Sequence, residues 1–283
     1  MNVTQTIEQT RQAVGSVRTQ GRSVGFVPTM GALHQGHLSL FAAARAEADY
    51  VVASIFVNPT QFGPAEDLDK YPRTLEQDLE GCEKQGVDLV FTPTPELMYP
   101  RGFRTYVEVH DMQNALCGKS RPTHFRGVTT VVLKLFQIVQ PDFAYFGQKD
   151  AQQARILEQM TQDLNVPVTL RVCPIVREPD GLAMSSRNRY LTPDQRQRAT
   201  ILHKSLQQVL EKVASGERDA RNLEAFLQSR IENTEDVNLD YASVVDYSTL
   251  EPLDVLRGRV VIAVAAYFGR TRLIDNEILS IDP

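Results

Sequence analysis

Tryptophan is absent from the 283 residues, and cysteine is down to three, Cys82, Cys117 and Cys173, spaced 35 and 56 residues apart with no C-x-x-C pair. Those absences exclude a disulfide-stapled miniprotein, a dithiol redox motif and a cysteine-based zinc site, and the three thiols read as reduced and buried. A long apolar run is missing too. The longest near the C-terminus, Val260 to Phe268, is nine residues between Arg259 and Arg270, about half of what a membrane-spanning helix needs, so it reads as a buried strand. Met1 to Gln20 carries Glu8 and two arginines and no apolar stretch of the kind a secretory signal requires, so a cytoplasmic location is expected. There is no excess of positive charge: 30 basic against 35 acidic residues leave a net charge of −5, which opposes broad attraction to nucleic acid or an anionic membrane and favours small-molecule partners.

What is present is ordinary globular composition, with 42% hydrophobic and 23% charged residues, 16 glycines and 15 prolines. At roughly 150 residues per domain the length suggests two domains. From Val24 to about Pro174 short apolar runs alternate with helical stretches. Val24–Val27, Tyr50–Val57, Val87–Phe91, Phe143–Phe146 and Val168–Val172 read as strands; Leu38–Ala48, Thr74–Gln85, Val128–Val139 and Ala151–Leu164 read as helices. The fold class is therefore α/β, a doubly wound, Rossmann-like parallel sheet spanning residues 1–176. After a turn signal at Pro179-Asp180-Gly181 the pattern changes to two polar helices, about Pro193–Val213 and Ala220–Asn233, followed by strands Tyr241–Val245 and Val260–Tyr267. Residues 177–283 are expected to form a smaller α+β domain, serving as a lid over the crevice or as a rigid dock.

Ligands of such sheets sit beyond the carboxyl ends of the strands. The first strand runs into Pro28-Thr29-Met30-Gly31-Ala32-Leu33-His34-Gln35-Gly36-His37, so two histidines flank a helix expected to begin near Leu38. Unpaired amides and the helix dipole make that end an anion site. Taken alone, a pair of histidines three apart is commonly a surface or capping feature; its place after the first strand points to chemistry. A metal reading is weaker, because His110, His124 and His203 are scattered. G-A-L-H-Q-G has the wrong spacing for a dinucleotide fingerprint, and nothing matches a P-loop. Asn58 to Gly63 offers amides on a Gly/Pro-shaped loop, or simply an Asn-Pro turn. Gly147-Gln148-Lys149-Asp150 brings a lysine to the same sheet edge, and Met184-Ser185-Ser186-Arg187-Asn188 brings two hydroxyls and a guanidinium suited to phosphate. Together these groups suit adenylyl transfer, in which an incoming oxygen lines up with the α-phosphorus while imidazole, ammonium and guanidinium groups neutralise the departing pyrophosphate.

P-T-M-G-A-L-H-Q-G-H resembles the H-x-G-H signature of the nucleotidyltransferase superfamily, and M-S-S-R resembles its mobile K-M-S-K-S loop, with Ser185 where that loop usually has its first lysine. The five ordered motifs P-T-M-G-A-L-H-Q-G-H, F-V-N-P-T-Q-F, H-F-R-G-V, F-G-Q-K-D and M-S-S-R-N resemble the pantothenate synthetase family over nearly the whole chain. The resemblance implies ATP-dependent condensation of (R)-pantoate with β-alanine through a pantoyl adenylate, with Mg2+ accompanying ATP, in a homodimer that uses no nucleic acid and no membrane. Carried over residue by residue, it implies that Met30, Gly31, Ala32, Leu33, His34, Gln35, Gly36 and His37 line the ATP site, with His37 as proton donor or phosphate stabiliser and His34 beside it. Lys149, Ser185, Ser186 and Arg187 would grip the phosphates, and Gly147, Gln148, Asp150, Val176 and Met184 would complete the nucleotide site. Gln61 and Gln153 would hold pantoate, Gln61 also facing β-alanine. Pro28, Met30, Val131 and Val132 would cover pantoate's methyl groups or serve the core. Asp78 is the magnesium candidate, and Arg121 and His124 would border the site or form a loop salt bridge.

Overall fold

The alternating pattern folds into the expected parallel sheet, with a strand and a helix added in front of it. The structure, a computed structural model, describes residues 1–64 and 66–282. In chain order the elements are β1 (Asn2–Thr4), α1 (Ile7–Arg18), β2 (Val24–Thr29), α2 (Gln35–Glu47), β3 (Tyr50–Ile55), α3 (Leu75–Lys84), β4 (Leu89–Phe91), α4 (Pro95–Met98), α5 (Cys117–Ser120) and α6 (His124–Val139). They continue as β5 (Phe143–Gly147), α7 (Ala151–Asp163), β6 (Thr169–Cys173), α8 (Pro193–Arg198), α9 (Ile201–Ala214), α10 (Ala220–Glu232), β7 (Val237–Asp246), β8 (Gly258–Phe268) and β9 (Thr271–Ile281). The chain forms two compact units.

The first unit comprises Met1–Gln113, Arg121–Gly147 and Ile156–Pro174 and holds a six-stranded sheet in the order β1-β4-β3-β2-β5-β6, every pairing parallel. β2 and β3 are apolar on both faces because helices cover both, as a parallel sheet requires. The strand order reverses between β2 and β5, which makes the carboxyl end of β2 the switch-point position where such sheets receive ligands. Gly25 is needed in β2, since a Cβ there would lie 2.9 Å from that of Ala48.

The second unit comprises Asn114–Ser120, Gln148–Arg155 and the chain from Ile175 onward. Its three-stranded antiparallel sheet, in the order β7-β8-β9, buries Val260, Ile262, Val264, Ala266 and Phe268 of β8 against Leu202, Leu206 and Val209 of α9 and Leu223, Leu227 and Ile231 of α10. The polar helix expected over Pro193–Val213 is two helices, α8 and α9, separated at Ala199 and Thr200. No helix among the described residues is long and apolar enough to cross a membrane.

Candidate active site

α2 begins at Gln35, earlier than the Leu38 start expected, and the reason is chemical. His34 is its N-cap residue: its Nδ1 accepts from the amide of Gly36 at 3.1 Å, while the amide of His34 donates to Nδ1 of His37 at 3.3 Å. The rings lie 4.1 Å apart. An Nδ1 that accepts an amide proton carries none itself, so each neutral ring holds its proton on Nε2, opposite the capped backbone. The histidines therefore build the helix terminus, with Nε2–H as the remaining ring donor of each.

The preceding loop is clamped from below. Asp78 of α3 is buried, and its carboxylate accepts from the amides of Ala32 at 3.0 Å and Leu33 at 2.8 Å and from the Thr74 hydroxyl at 3.2 Å. Gly31 passes over it with φ of +77°, where a Cβ would sit 2.8 Å from the carboxylate, so both conformation and space call for glycine. The magnesium candidate thus fits poorly as a metal ligand: three donors occupy its oxygens, and no group of three or more His, Cys, Asp or Glu suited to a metal occurs among the described residues.

Gln61 stands beside this loop, on the segment leaving β3. Its Oε1 accepts from Asn58 Nδ2 at 3.1 Å, and its Nε2 donates to the Met30 sulfur at 3.0 Å. Asn58 is fixed in turn, its Oδ1 accepting from the hydroxyls of Tyr99 at 2.8 Å and Thr60 at 2.9 Å, which leaves its amide nitrogen to point at Gln61. The backbone carbonyl of Gln61 meets His124 Nδ1 at 2.9 Å, and the Arg121 guanidinium also reaches it. Arg121 pairs with Glu66, Nε to Oε1 at 2.9 Å. Burial raises the Glu66 carboxyl, but its bonds to Arg121 outweigh that and leave it below the ordinary range. Gly127 of α6 lets the helix touch this turn, since a Cβ would lie 2.5 Å from Thr60 O and 2.6 Å from the Gln61 amide nitrogen. Val131 and Val132 are buried on the same helix.

In the second unit, Lys149 lies half-buried in a 3-10 turn spanning Gln148–Asp150, directly after Gly147 ends β5, with Asp150 exposed. Gln153 is half-buried in the first turn of α7. Its neighbour Gln152 is buried and serves the fold, accepting from the Cys117 amide at 3.0 Å and donating to Ala115 O at 2.7 Å. The M-S-S-R segment leaves a small hairpin in which Arg177 bridges to Ala183, the Met184 amide donates to Val176 O at 3.0 Å, and Gly181 turns at φ of +94°. Ser185 Oγ caps the following 3-10 turn by accepting from the Arg187 amide at 3.3 Å, and Ser186 is buried.

Burial, with Asp78 nearby, pushes Cys82 up to about 12, and burial also raises Cys173, which is half-buried where the sequence suggested a buried position. Sequence reasoning missed Asn58 and Tyr99 as the setters of the Gln61 amide. The Asn58-Pro59 turn was visible, but its hydroxyl partner lies 41 residues on.

A model of the family described as pantoate-beta-alanine ligase matches residues 2–278. The chain belongs to that family. It shares 53% identity over 281 residues with pantothenate synthetase of Acetivibrio thermocellus, covering 99% of this chain and 100% of the relative, and 53% over 279 residues with that of Thermotoga neapolitana. The crystal structure of pantothenate synthetase from Thermus thermophilus superposes with a TM-score of 0.93 at 43% identity, covering both chains fully. The pantoate-beta-alanine ligase of Francisella tularensis, crystallised with beta-gamma ATP and beta-alanine, matches with a TM-score of 0.79 at 36% identity over 98% of this chain and 97% of its own. The ligase family thus accounts for the parallel sheet, for the antiparallel sheet that follows it, and for the class of enzyme.

Proposed function

We propose that the chain condenses (R)-pantoate with β-alanine in two steps. A pantoate carboxylate oxygen attacks the α-phosphorus of ATP, forming pantoyl adenylate and expelling pyrophosphate. The β-alanine amine then attacks the acyl carbon, forming the amide and expelling AMP, which keeps that carboxylate oxygen. The observation that carries this reading is the reciprocal capping of α2, which assigns an Nε2–H donor to each of two histidines at the helix N-terminus following β2, the switch-point strand of the sheet. Donors fixed before the reaction stabilise charge as it develops on the leaving phosphates without reorganising.

In this reading His37 and His34 donate to phosphate oxygens, and Lys149, Ser185, Ser186 and Arg187 neutralise the remaining charge. The amides of Gln61 and Gln153 hold pantoate's hydroxyls and carboxylate while leaving the carboxylate nucleophilic, which a lysine would not. The orientation of Gln61, set by Asn58, supports that role. Mg2+, when bound, supplies charge neutralisation on the triphosphate; the engagement of Asp78 with the loop favours its delivery on ATP. The test is exchange of labelled pyrophosphate into ATP without β-alanine. Exchange that requires pantoate is expected; folded protein giving pantothenate but no such exchange would contradict the adenylate.

A further inference from the structure

β9 is an edge strand, yet two consecutive polar residues on it, Asp275 and Asn276, are 2% and 3% exposed. In the antiparallel register Asp275 opposes Val264 and Asn276 opposes Ala263. Directly opposed residues share a face, so Asp275 lies on the face that Val264 packs against α9 and α10, and Asn276 on the other. Burying two polar side chains in an edge strand is costly unless each is fully engaged.

Asn276 spends both amide hydrogens on one short stretch, its Nδ2 donating to Gln148 O at 3.0 Å and to Lys149 O at 2.9 Å. Asp275 takes Arg177 in a two-pronged pair, at 2.6 Å and 3.0 Å, and the same guanidinium donates to Gly181 O at 3.1 Å. Arg177 begins the hairpin that delivers Met184 to Arg187. One dipeptide therefore holds the backbone of the lysine turn with one residue and the root of the Ser-Ser-Arg loop with the next.

We propose that Asn276 and Asp275 are positioning residues, which set Lys149 and the Ser185–Arg187 loop relative to each other as one phosphate-gripping unit. This rests on the proposed role of Lys149 and Arg187 at the ATP phosphates. The two held points, Lys149 and Arg177, lie 28 positions apart in sequence, and the strand gives them a common reference. A displacement of about 1 Å in such a group costs on the order of 100-fold in rate.

The test is a double-mutant cycle read by the dissociation constant of a non-hydrolysable ATP analogue and by kcat, using wild type, Asn276→Asp, Lys149→Ala and the double variant. Asn276→Asp keeps the volume and turns an acceptor toward two carbonyls. It is expected to weaken the analogue and to lower kcat by about 100-fold, and to change the Lys149→Ala protein by less than about threefold, because the side chain it positions is gone. Equal losses in both backgrounds would overturn the proposal. Should Asn276→Asp fail to fold, Asn276→Ser, which keeps one donor, enters the same cycle; failure of both to fold would also overturn it, the pair then serving the fold alone. Wild type without pantoate-dependent exchange would sink the functional reading, whereas an active wild type with an unaffected Asn276→Asp sinks only the positioning role.

Discussion

His34 and His37 cap one helix turn between them, each through Nδ1, so that the fold itself fixes which nitrogen of each ring carries the proton. The two functions of each ring are separable by substitution. His37→Asn keeps an acceptor near the Nδ1 position and removes Nε2–H; its exchange rate is expected to fall by about 100- to 1,000-fold if the imidazole is a transition-state donor. Its stability in urea should change little, whereas His37→Ala should show the same kinetic loss and a further cost of about 1 kcal/mol for the missing cap. An Asn variant at full rate would show that Nε2–H does no chemical work.

Gly127 and Gln61 are in contact because the helix has no Cβ there. Gly127→Ala forces the turn away and should cost about 1 to 3 kcal/mol of stability as an overpacked site. The displaced Gln61 should raise KM for pantoate more than KM for ATP. Thermal melts and initial rates with each substrate varied will show whether the two Michaelis constants separate; a uniform change in both would leave Gly127 a packing residue only.

Asp78 holds the amides of Ala32 and Leu33. Asp78→Asn leaves one of these buried donors facing an amide NH2 and should cost about 1 to 3 kcal/mol. The Mg2+ concentration giving half-maximal rate, measured at saturating ATP, should stay where it is in wild type. A shift of tenfold or more would restore Asp78 as a metal ligand.

The Glu66–Arg121 pair predicts a pH dependence of definite sign. Glu66 lies below its ordinary value in the folded chain, so it binds fewer protons folded than unfolded near its titration range. Its contribution to stability is therefore present above the ordinary carboxylate range and is lost as pH falls through the folded value. The difference in midpoint between wild type and Glu66→Gln should be largest near about pH 6 and should shrink toward about pH 3. A difference independent of pH would mean that the pair contributes by shape, not charge.

Much of this architecture was legible because helix and parallel-strand periods differ and the strands were nearly pure apolar runs. β1, α1 and β9 were not. β1 is three residues, Asn2 to Thr4, paired to β4, and α1 is a polar helix started by a Thr6 capping box. β9 carries Asp275 and Asn276 in its middle, and those buried polar residues break the apolar pattern by which a strand is recognised. The motifs singled out His34, His37 and Gln61 in the first unit and Lys149 in the second. They could not show that the histidines are caps, since Leu38 opens the apolar pattern and Gln35 does not. They also placed Asp78 without its partners, because the amides it holds are 45 and 46 residues away.

The most direct test of the account is the fate of the pantoate carboxylate oxygens. With pantoate labelled by oxygen-18 in both carboxylate positions, complete turnover with ATP and β-alanine should leave one heavy oxygen in AMP and one in the new amide, seen by mass spectrometry. Label appearing in pyrophosphate, or AMP carrying none, would contradict attack of the carboxylate on the α-phosphorus.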